Sequence, residues 1–315
     1  MTARSTTPAR YRVDREAGGA RLDRFLAGRM AVSRSELQRW IEAGRVHVGA
    51  RPGTASTRLK EGDEVLVEPM APAASSATPQ AEVTFEVLFA DEHVVVINKP
   101  PGLVVHPAKG HEAGTLVNGL LALGLFRDGM ESADMRPGIV HRLDKGTSGV
   151  MVVARTAQTR EALKEQFQAH SIERAYEAIV VGAAEERTFA TLHGRHPRDR
   201  QRFTTHVRTG KRAVTHTRVL GRLEGATYLE CTLETGRTHQ IRVHLAESGT
   251  PVLGDPVYGR PPRDARVRAI GEQLGHQALH ARVLGFVHPA THTRVRFEAA
   301  PPEAFRAALA ALAST

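Results

Sequence analysis

HRLDKGTSGVMVVAR, residues 141–155, decides how the rest of the chain is read. The apolar run Gly138-Ile139-Val140 leads in, and Gly149 to Arg155 leads out with the look of a buried strand. Between them lie Arg142, Asp144, Lys145, Thr147 and Ser148, with glycines at 146 and 149. An aspartate in such a place commonly accepts amide hydrogens from its own turn. A carboxylate on a loop anchored between strands equally suits a nucleophile or general base. The stretch alone leaves both readings open. To stay ionised in a partly dry cleft, Asp144 needs a cation beside it, because desolvation raises a carboxyl pKa.

Candidates for that cation lie in ETGRTHQIRVH, residues 234–244. A helix is expected from Thr238 to Ser248, stopping at Gly249. Arg237 sits in its approach, and Arg242 lies beside the face carrying Ile241 and Leu245. An exposed pair would contribute well under about 1 kcal/mol. A buried pair would make loss of either partner cost about 3–5 kcal/mol.

The 315 residues carry 41% apolar side chains and a net charge of +9, most of the positive charge being arginine. That balance favours a polyanionic partner, although genomic base composition also enriches arginine. The single cysteine, Cys231, excludes an internal disulfide and a cysteine-based zinc site. No apolar stretch reaches the ~20 residues that span a bilayer. The N-terminus lacks the apolar core of a signal peptide. A cytoplasmic protein without membrane contact is expected. Among the 16 histidines, His239 and His244 are five apart, off the H-E-x-x-H spacing, and no metal is expected. Neither a Walker A nor a G-x-G-x-x-G motif occurs, so no cofactor is expected.

Composition divides the chain into a tail over 1–11, a small unit over 12–70, a linker over 71–81 (APAASSATPQA) and a body over 82–315. In the small unit, Leu22, Phe25, Leu26 and Met30 recur at helical spacing. Ser33 and Glu36 form a capping-box pattern before a second helix with Leu37, Trp40 and Ile41 inward. Arg34, Arg39, Arg45 and Arg51 cluster around that helix, as a basic surface or merely a solvated face. The body alternates as strands near 83–88, 93–98, 149–155, 176–180, 228–234, 281–288 and 293–298, with helices over 156–170 and from 302. This pattern predicts an α+β domain around a mainly antiparallel, mixed sheet. The arginine-rich segment GRHPRDRQRFT, residues 194–204, has no apolar periodicity and reads as a solvent-exposed loop or hairpin suited to a polyphosphate backbone.

RLDRFL, SRSELQRWIEAGRVHVGARP and LKEGDEVLV, spanning residues 21–67, resemble an S4 RNA-binding domain of α/β build. That resemblance implies that Arg34 and Arg39 face phosphates. NKPPG (98–102), VHP (105–107), the opening stretch, Arg174-Ala-Tyr176, TGRTHQIRVHLAESGTPVLGDPVYG and Gln277-Ala-Leu-His-Ala281 together resemble the RluA-type pseudouridine synthases, in the subgroup with an N-terminal S4 domain. The implied reaction isomerises uridine to pseudouridine in structured RNA without cofactor or metal. The resemblance implies that Asp144 attacks C1′ of the ribose or C6 of the uracil, that Tyr176 lies against the ring, and that Arg242 holds Asp144 ionised. It implies that Arg142 fills the space left by the displaced nucleotide. It also implies RNA contacts at His141, Thr147, Arg195, His196, Arg200, Lys211 and Arg237, and treats Gly146 as a variable position. Large-subunit ribosomal RNA is the expected target of a monomeric enzyme, with transfer RNA as the alternative. Two rival readings are a non-catalytic RNA-binding or ribosome-assembly protein and an aspartate-dependent glycoside or nucleoside hydrolase. The latter needs a second carboxylate, and none stands out beside Asp144.

Overall fold

The computed structural model describes residues 7–30, 32, 34–70, 77–107, 110–127, 137–199 and 201–313, without the side chains of residues 34–36. They fall into two compact units, Met1–Ala74 and Ser75–Thr315.

In the first unit, strands β1 (Ala9–Arg12), β2 (Val46–Val48), β3 (Arg51–Pro52) and β4 (Glu64–Val67) form a sheet in the order β1-β4-β2-β3. Helices α1 (Leu22–Ala27) and α2 (Arg34–Glu42) pack on it through Leu22, Phe25, Leu26, Leu37, Trp40 and Ile41. The expected tail is therefore too long. Ala9–Arg12 pairs antiparallel with β4, and Tyr11 meets the Phe25 ring edge-on. Alternating inward side chains give this short segment enough apolar contact to hold an edge strand. Ser33, half of the expected capping box, lies outside the described residues.

The second unit is built on a ten-stranded sheet. Its strands are β5 (Glu86–Ala90), β6 (Val94–Lys99), β7 (Ser148–Ala154), β8 (Glu173–Val181), β9 (Arg187–Arg195), β10 (Phe203–Thr204), β11 (Lys211–Leu223), β12 (Ala226–Leu233), β13 (Leu279–Val287) and β14 (Arg294–Glu298). The order is β10-β9-β11-β12-β8-β13-β7-β6-β5, with β14 on β13. Only the β13–β7 pairing is parallel among the described strands.

Strands β6 and β7 are apolar over Val94–Ile97 and Val150–Ala154 because both their faces are covered there. Val95, Ile97, Met151 and Val153 meet Leu116 and Leu120 of α3 (Leu116–Ala122). Val94, Val96, Val150 and Val152 meet Leu163 of α4 (Ala157–Gln168). Ile241 and Leu245 of α5 (Gln240–Glu247) pack with α6 (Ala265–Leu274) and α7 (Glu303–Leu312) on Ile179, Leu229 and Cys231. Helices α3 and α6 lie in stretches where no periodicity stood out.

The expected linker 71–81 is corrected at its end. Asn118 Nδ2 donates to the Thr78 carbonyl at 2.8 Å, and Gln80 Oε1 accepts the Gly114 amide at 2.7 Å. Alanine and serine content suggested a free segment, but polar side chains of the body dock residues 77–80. Residues 71–76 lie outside the described set.

Candidate active site

Adjacent strands β8, β13 and β7 carry the site at the middle of the large sheet. Ser148 pairs with His280 and Tyr176 with Ala281, so the loop before β7 and a residue of β8 meet over one strand. At Gly149, φ is +117° and an added Cβ would run into the Ala281 backbone. A side chain there would pry β7 from β13.

The loop 141–147 is fastened from several directions. The Thr147 amide donates to the Asp144 carbonyl at 3.0 Å, and Gln277 Nε2 donates to Thr147 Oγ1 at 3.0 Å. A Cβ at Gly146 would run into the Gln277 amide oxygen, so a larger residue there would have to displace the Gln277 side chain. Lys99 is fully buried, and its Nζ donates to the carbonyls of Pro100 (2.8 Å), Leu103 (2.9 Å) and Lys145 (3.2 Å). The Gly102 amide donates to the same Lys145 carbonyl at 2.8 Å. Burial pulls the Lys99 ammonium down to about 7, against the attraction of Asp144. Thus NKPPG staples the turn that holds Asp144.

Arg242 supplies the countercharge across 98 residues of sequence: its Nη1 donates to Asp144 Oδ2 at 2.8 Å. It is 4% exposed, and its other donors serve a second carboxylate. Nε and Nη2 fork onto Asp255 Oδ2 and Oδ1 at 2.7 and 2.8 Å. Asp255 Oδ1 also accepts the amides of Val257 (2.9 Å) and Tyr258 (3.0 Å). Burial by itself would push the Asp255 carboxyl up, but the bonds from Arg242 outweigh it and hold the group below its ordinary value. Burial likewise opposes the Arg242 charge, and the two aspartates more than restore it. The bidentate partner is therefore Asp255, and Asp144 receives a single end-on bond. Two carboxylates share one guanidinium, so the trio keeps one negative charge, with Asp144 Oδ1 free of the arginine.

Asp144 opens into a cleft of about 270 Å³ lined by Arg142, Tyr176, His239, Arg174, Arg237 and Phe167, among others. Burial raises the half-buried Tyr176 phenol above its ordinary value, with Arg174 working against that and Asp144 with it, so the hydroxyl stays protonated at neutral pH. His239 caps α5 in the left-handed region, φ 58°. Its Nδ1 lies 2.9 Å from Tyr258 Oη, which accepts the Phe203 amide at 2.8 Å. The phenol proton is left for Nδ1, which assigns the ring proton to Nε2, 3.7 Å from Asp144 Oδ1. Burial lowers the His239 pKa despite Asp144, consistent with a neutral ring.

Among the residues expected in the site, Asp144, Tyr176, Arg242, Arg142 and Arg237 line this one cleft. Arg142 is exposed. Two further expected RNA contacts, His141 and Thr147, also line the cleft while their side chains brace the loop. His141 Nε2 accepts the Val152 amide at 3.1 Å and its ring stacks on Phe167 at 4.6 Å. Burial and Arg174 lower its pKa to about 3, so it carries no charge for a phosphate. Thr147 is buried, with its hydroxyl engaged by Gln277. Both residues build the loop.

The arginine-rich segment is a hairpin with a fixed base: Phe203 stacks on His193 at 5.4 Å and Thr204 Oγ1 donates to Glu247 at 2.5 Å. The Arg195 guanidinium lies 5.2 Å from the centre of the Phe203 ring. At the tip, His196 Nδ1 accepts the Asp199 amide at 3.1 Å. Lys211 opens β11 and is exposed, while Arg237 Nε donates to the Arg212 carbonyl at 3.0 Å. Arg200 lies outside the described residues, as does the side chain of Arg34. Arg39 is half-buried in the first unit.

Sequence reasoning missed Asp255, His239, Tyr258, Lys99 and Arg174. Asp255 did offer a signal, an acid wedged between Gly254 and Pro256 thirteen residues after Arg242. The second carboxylate thought missing thus exists, but it is tied to Arg242 and two amides.

The large mixed sheet thus carries an Asp-centred cleft bounded by basic side chains. The chain belongs to the RNA pseudouridylate synthase family: the family's model matches residues 93–247, and that of the S4 domain matches 20–65. It is 44% identical to the ribosomal large subunit pseudouridine synthase D of Xanthomonas campestris, over 94% of this chain and 90% of that one. It is 43% identical to an uncharacterized RNA pseudouridine synthase of Bacillus subtilis, over 91% and 92%. Among solved structures, human RNA pseudouridylate synthase domain containing 4 superposes with a TM-score of 0.53 at 26% identity, covering 72% of this chain and 92% of that one. Among the described residues, no helix is long and apolar enough to cross a membrane.

Proposed function

We propose that this enzyme isomerises uridines of large-subunit ribosomal RNA and that Asp144 is its catalytic carboxylate. The observation that carries the reading is the end-on bond from Arg242 to Asp144, which leaves one carboxylate oxygen facing the cleft beside Tyr176. Asp144 bonds to C1′ of the ribose or C6 of the uracil, the N1–C1′ bond breaks and the uracil turns; C5 then bonds to C1′, the bond to Asp144 breaks and the carboxylate is restored. The proton on C5 leaves and N1 gains one, so the product is an isomer. Tyr176, neutral and half-buried, forms a wall for the uracil ring. Arg142, exposed beside Asp144, occupies the space of the extruded nucleotide, as base-modifying enzymes require. Arg39, Arg195, Lys211 and Arg237 add phosphate contacts that make binding salt-dependent. Ribosomal RNA as substrate is supported by the name and extent of the Xanthomonas relative, and it implies a cytoplasmic enzyme, which we take to act as a monomer.

The test is pseudouridine mapping of 23S ribosomal RNA transcripts and transfer RNA incubated with the purified protein and its Asp144→Asn variant. The wild type is expected to modify discrete 23S positions. The variant is expected to bind the same RNA and to lose on the order of 10⁴-fold in rate. Modification confined to transfer RNA would replace the substrate, and an active variant would remove Asp144 from its role.

A further inference from the structure

Arg174 is 8% exposed, lines the cleft, and makes no ion pair with a carboxylate among the described residues. Its Nη2 donates to the Glu234 carbonyl at 2.9 Å, and its buried Nε has no acceptor. The glutamates of β8 and β12, and Glu234 just beyond β12, are committed elsewhere. Glu173 pairs with Arg294 and Arg296, and Glu177 with Arg282. Glu230 pairs with Arg218 and Arg282, and Glu234 with Arg212 and His216. The charged and titratable groups that face Arg174 are Arg237, Tyr176, His141 and His170, of which only the tyrosine could ever be anionic. A buried guanidinium left without an anion bears a desolvation cost, here offset only in part by the Glu234 carbonyl and by the Phe167 ring, whose centre lies 5.9 Å from Cζ. Gly236 lies over it: a Cβ there would stand 2.5 Å from Nη1. The chain keeps that approach clear.

We propose that Arg174, with Arg237 beside it, forms a subsite for a phosphodiester flanking the target uridine. This rests on the reading of the cleft as a uridine-isomerising site. Tyr176, Asp144 and Arg174 line the same cleft. A nucleotide whose base lies on the Tyr176 ring presents its sugar to the carboxylate and a phosphate to the guanidinium. The planar fork suits two phosphate oxygens, and the anion supplies the missing countercharge.

The probe is a short RNA containing a mapped target uridine, with the phosphate on its 5′ or its 3′ side replaced by an uncharged methylphosphonate. For the wild type, neutralising one of these phosphates is expected to lower kcat/KM by about 10- to 100-fold. Arg174→Met is expected to show that loss already on unmodified RNA and no further loss on the neutral one. Arg174→Lys, which keeps the charge without the fork, should recover part of it. Gly236→Ala displaces the guanidinium while retaining its charge and gives the same pattern, which keeps the test available if Arg174→Met does not fold. Equal sensitivity of wild type and variants to the neutral linkage overturns the subsite. So does a wild type indifferent to both replacements, which would leave the uracil carbonyls as the group Arg174 meets. Absence of any pseudouridine with wild type and unmodified RNA instead refutes the underlying function.

Discussion

Two buried arginines line one cleft and differ in what faces them. Arg242 is held by two aspartates, three of its donors filled by carboxylate oxygens. Among the described residues, Arg174 has one carbonyl, the Phe167 ring and no carboxylate. The first is complete in the free protein and serves to orient an anion of the protein itself. The second is incomplete and is suited to an anion brought from outside. Similar burial therefore carries opposite meaning, and the partner list separates a charge that builds the site from a charge that awaits substrate.

The largest expected effect sets the two against each other. Arg242→Met strands Asp255 and Asp144 as buried carboxylates and should cost about 3–5 kcal/mol of stability. Arg174→Met removes a desolvated cation along with one hydrogen bond and should change stability by about 1 kcal/mol or less. Denaturant unfolding of both variants measures the contrast. A comparable loss for Arg174→Met would make that arginine structural and abolish the distinction.

Asp255→Asn sharpens the same comparison from the acid side. It should cost about 1–3 kcal/mol at pH 7, since Arg242 keeps only part of its fork. The folded chain holds the Asp255 carboxyl below its ordinary value, so its contribution is present above about pH 4 and is lost as pH falls through the folded value. The gap in melting temperature between wild type and variant should accordingly narrow as pH falls below about 4. A gap that is constant with pH would mean that the carboxylate charge at 255 is not what Arg242 uses.

Tyr258→Phe is the mildest probe. It removes the hydroxyl between the Phe203 amide and His239 without touching the carboxylate contacts of Arg242. Loss of a net hydrogen bond worth about 1 kcal/mol should lower kcat by about fivefold. Because the hydroxyl joins the hairpin to the ring beside Asp144, the effect should fall on kcat more than on binding of a fragment too short to reach the hairpin. An unchanged kcat would leave His239 oriented by packing on Phe203 and Tyr258 alone.

Much of the architecture was legible locally. The apolar runs at β6 and β7, the helix over 157–168 and the alternation of β12 follow from periods of two and 3.6 residues. The α5 segment was placed correctly, but its burial on every side was not foreseen. Gln240, Ile241, Arg242, Val243, His244 and Leu245 are all inside, three of them polar and satisfied by partners on distant strands or loops. Periodicity reports one apolar stripe and is silent about a helix sheathed by polar bonds. The same limit hid the docked residues 77–80 and the packed Gly146, both held by single side chains far along the chain.

By itself the sequence determined the class of fold, the anchored loop that carries Asp144, and the abundance of arginine around it. Only the tertiary structure decided which arginine faces which acid. Glu173, Glu177, Glu230 and Glu234 stand near Arg174 in the chain or sheet, and all four point to other guanidinium groups. Arg242 instead finds Asp144 at a separation of 98 residues. Ion pairing falls off over a few ångströms and depends on which face of a strand or helix a side chain leaves. Composition and spacing state how many charges there are, whereas the packing of β8 against β13 and α5 determines which of them remains open to a nucleic acid.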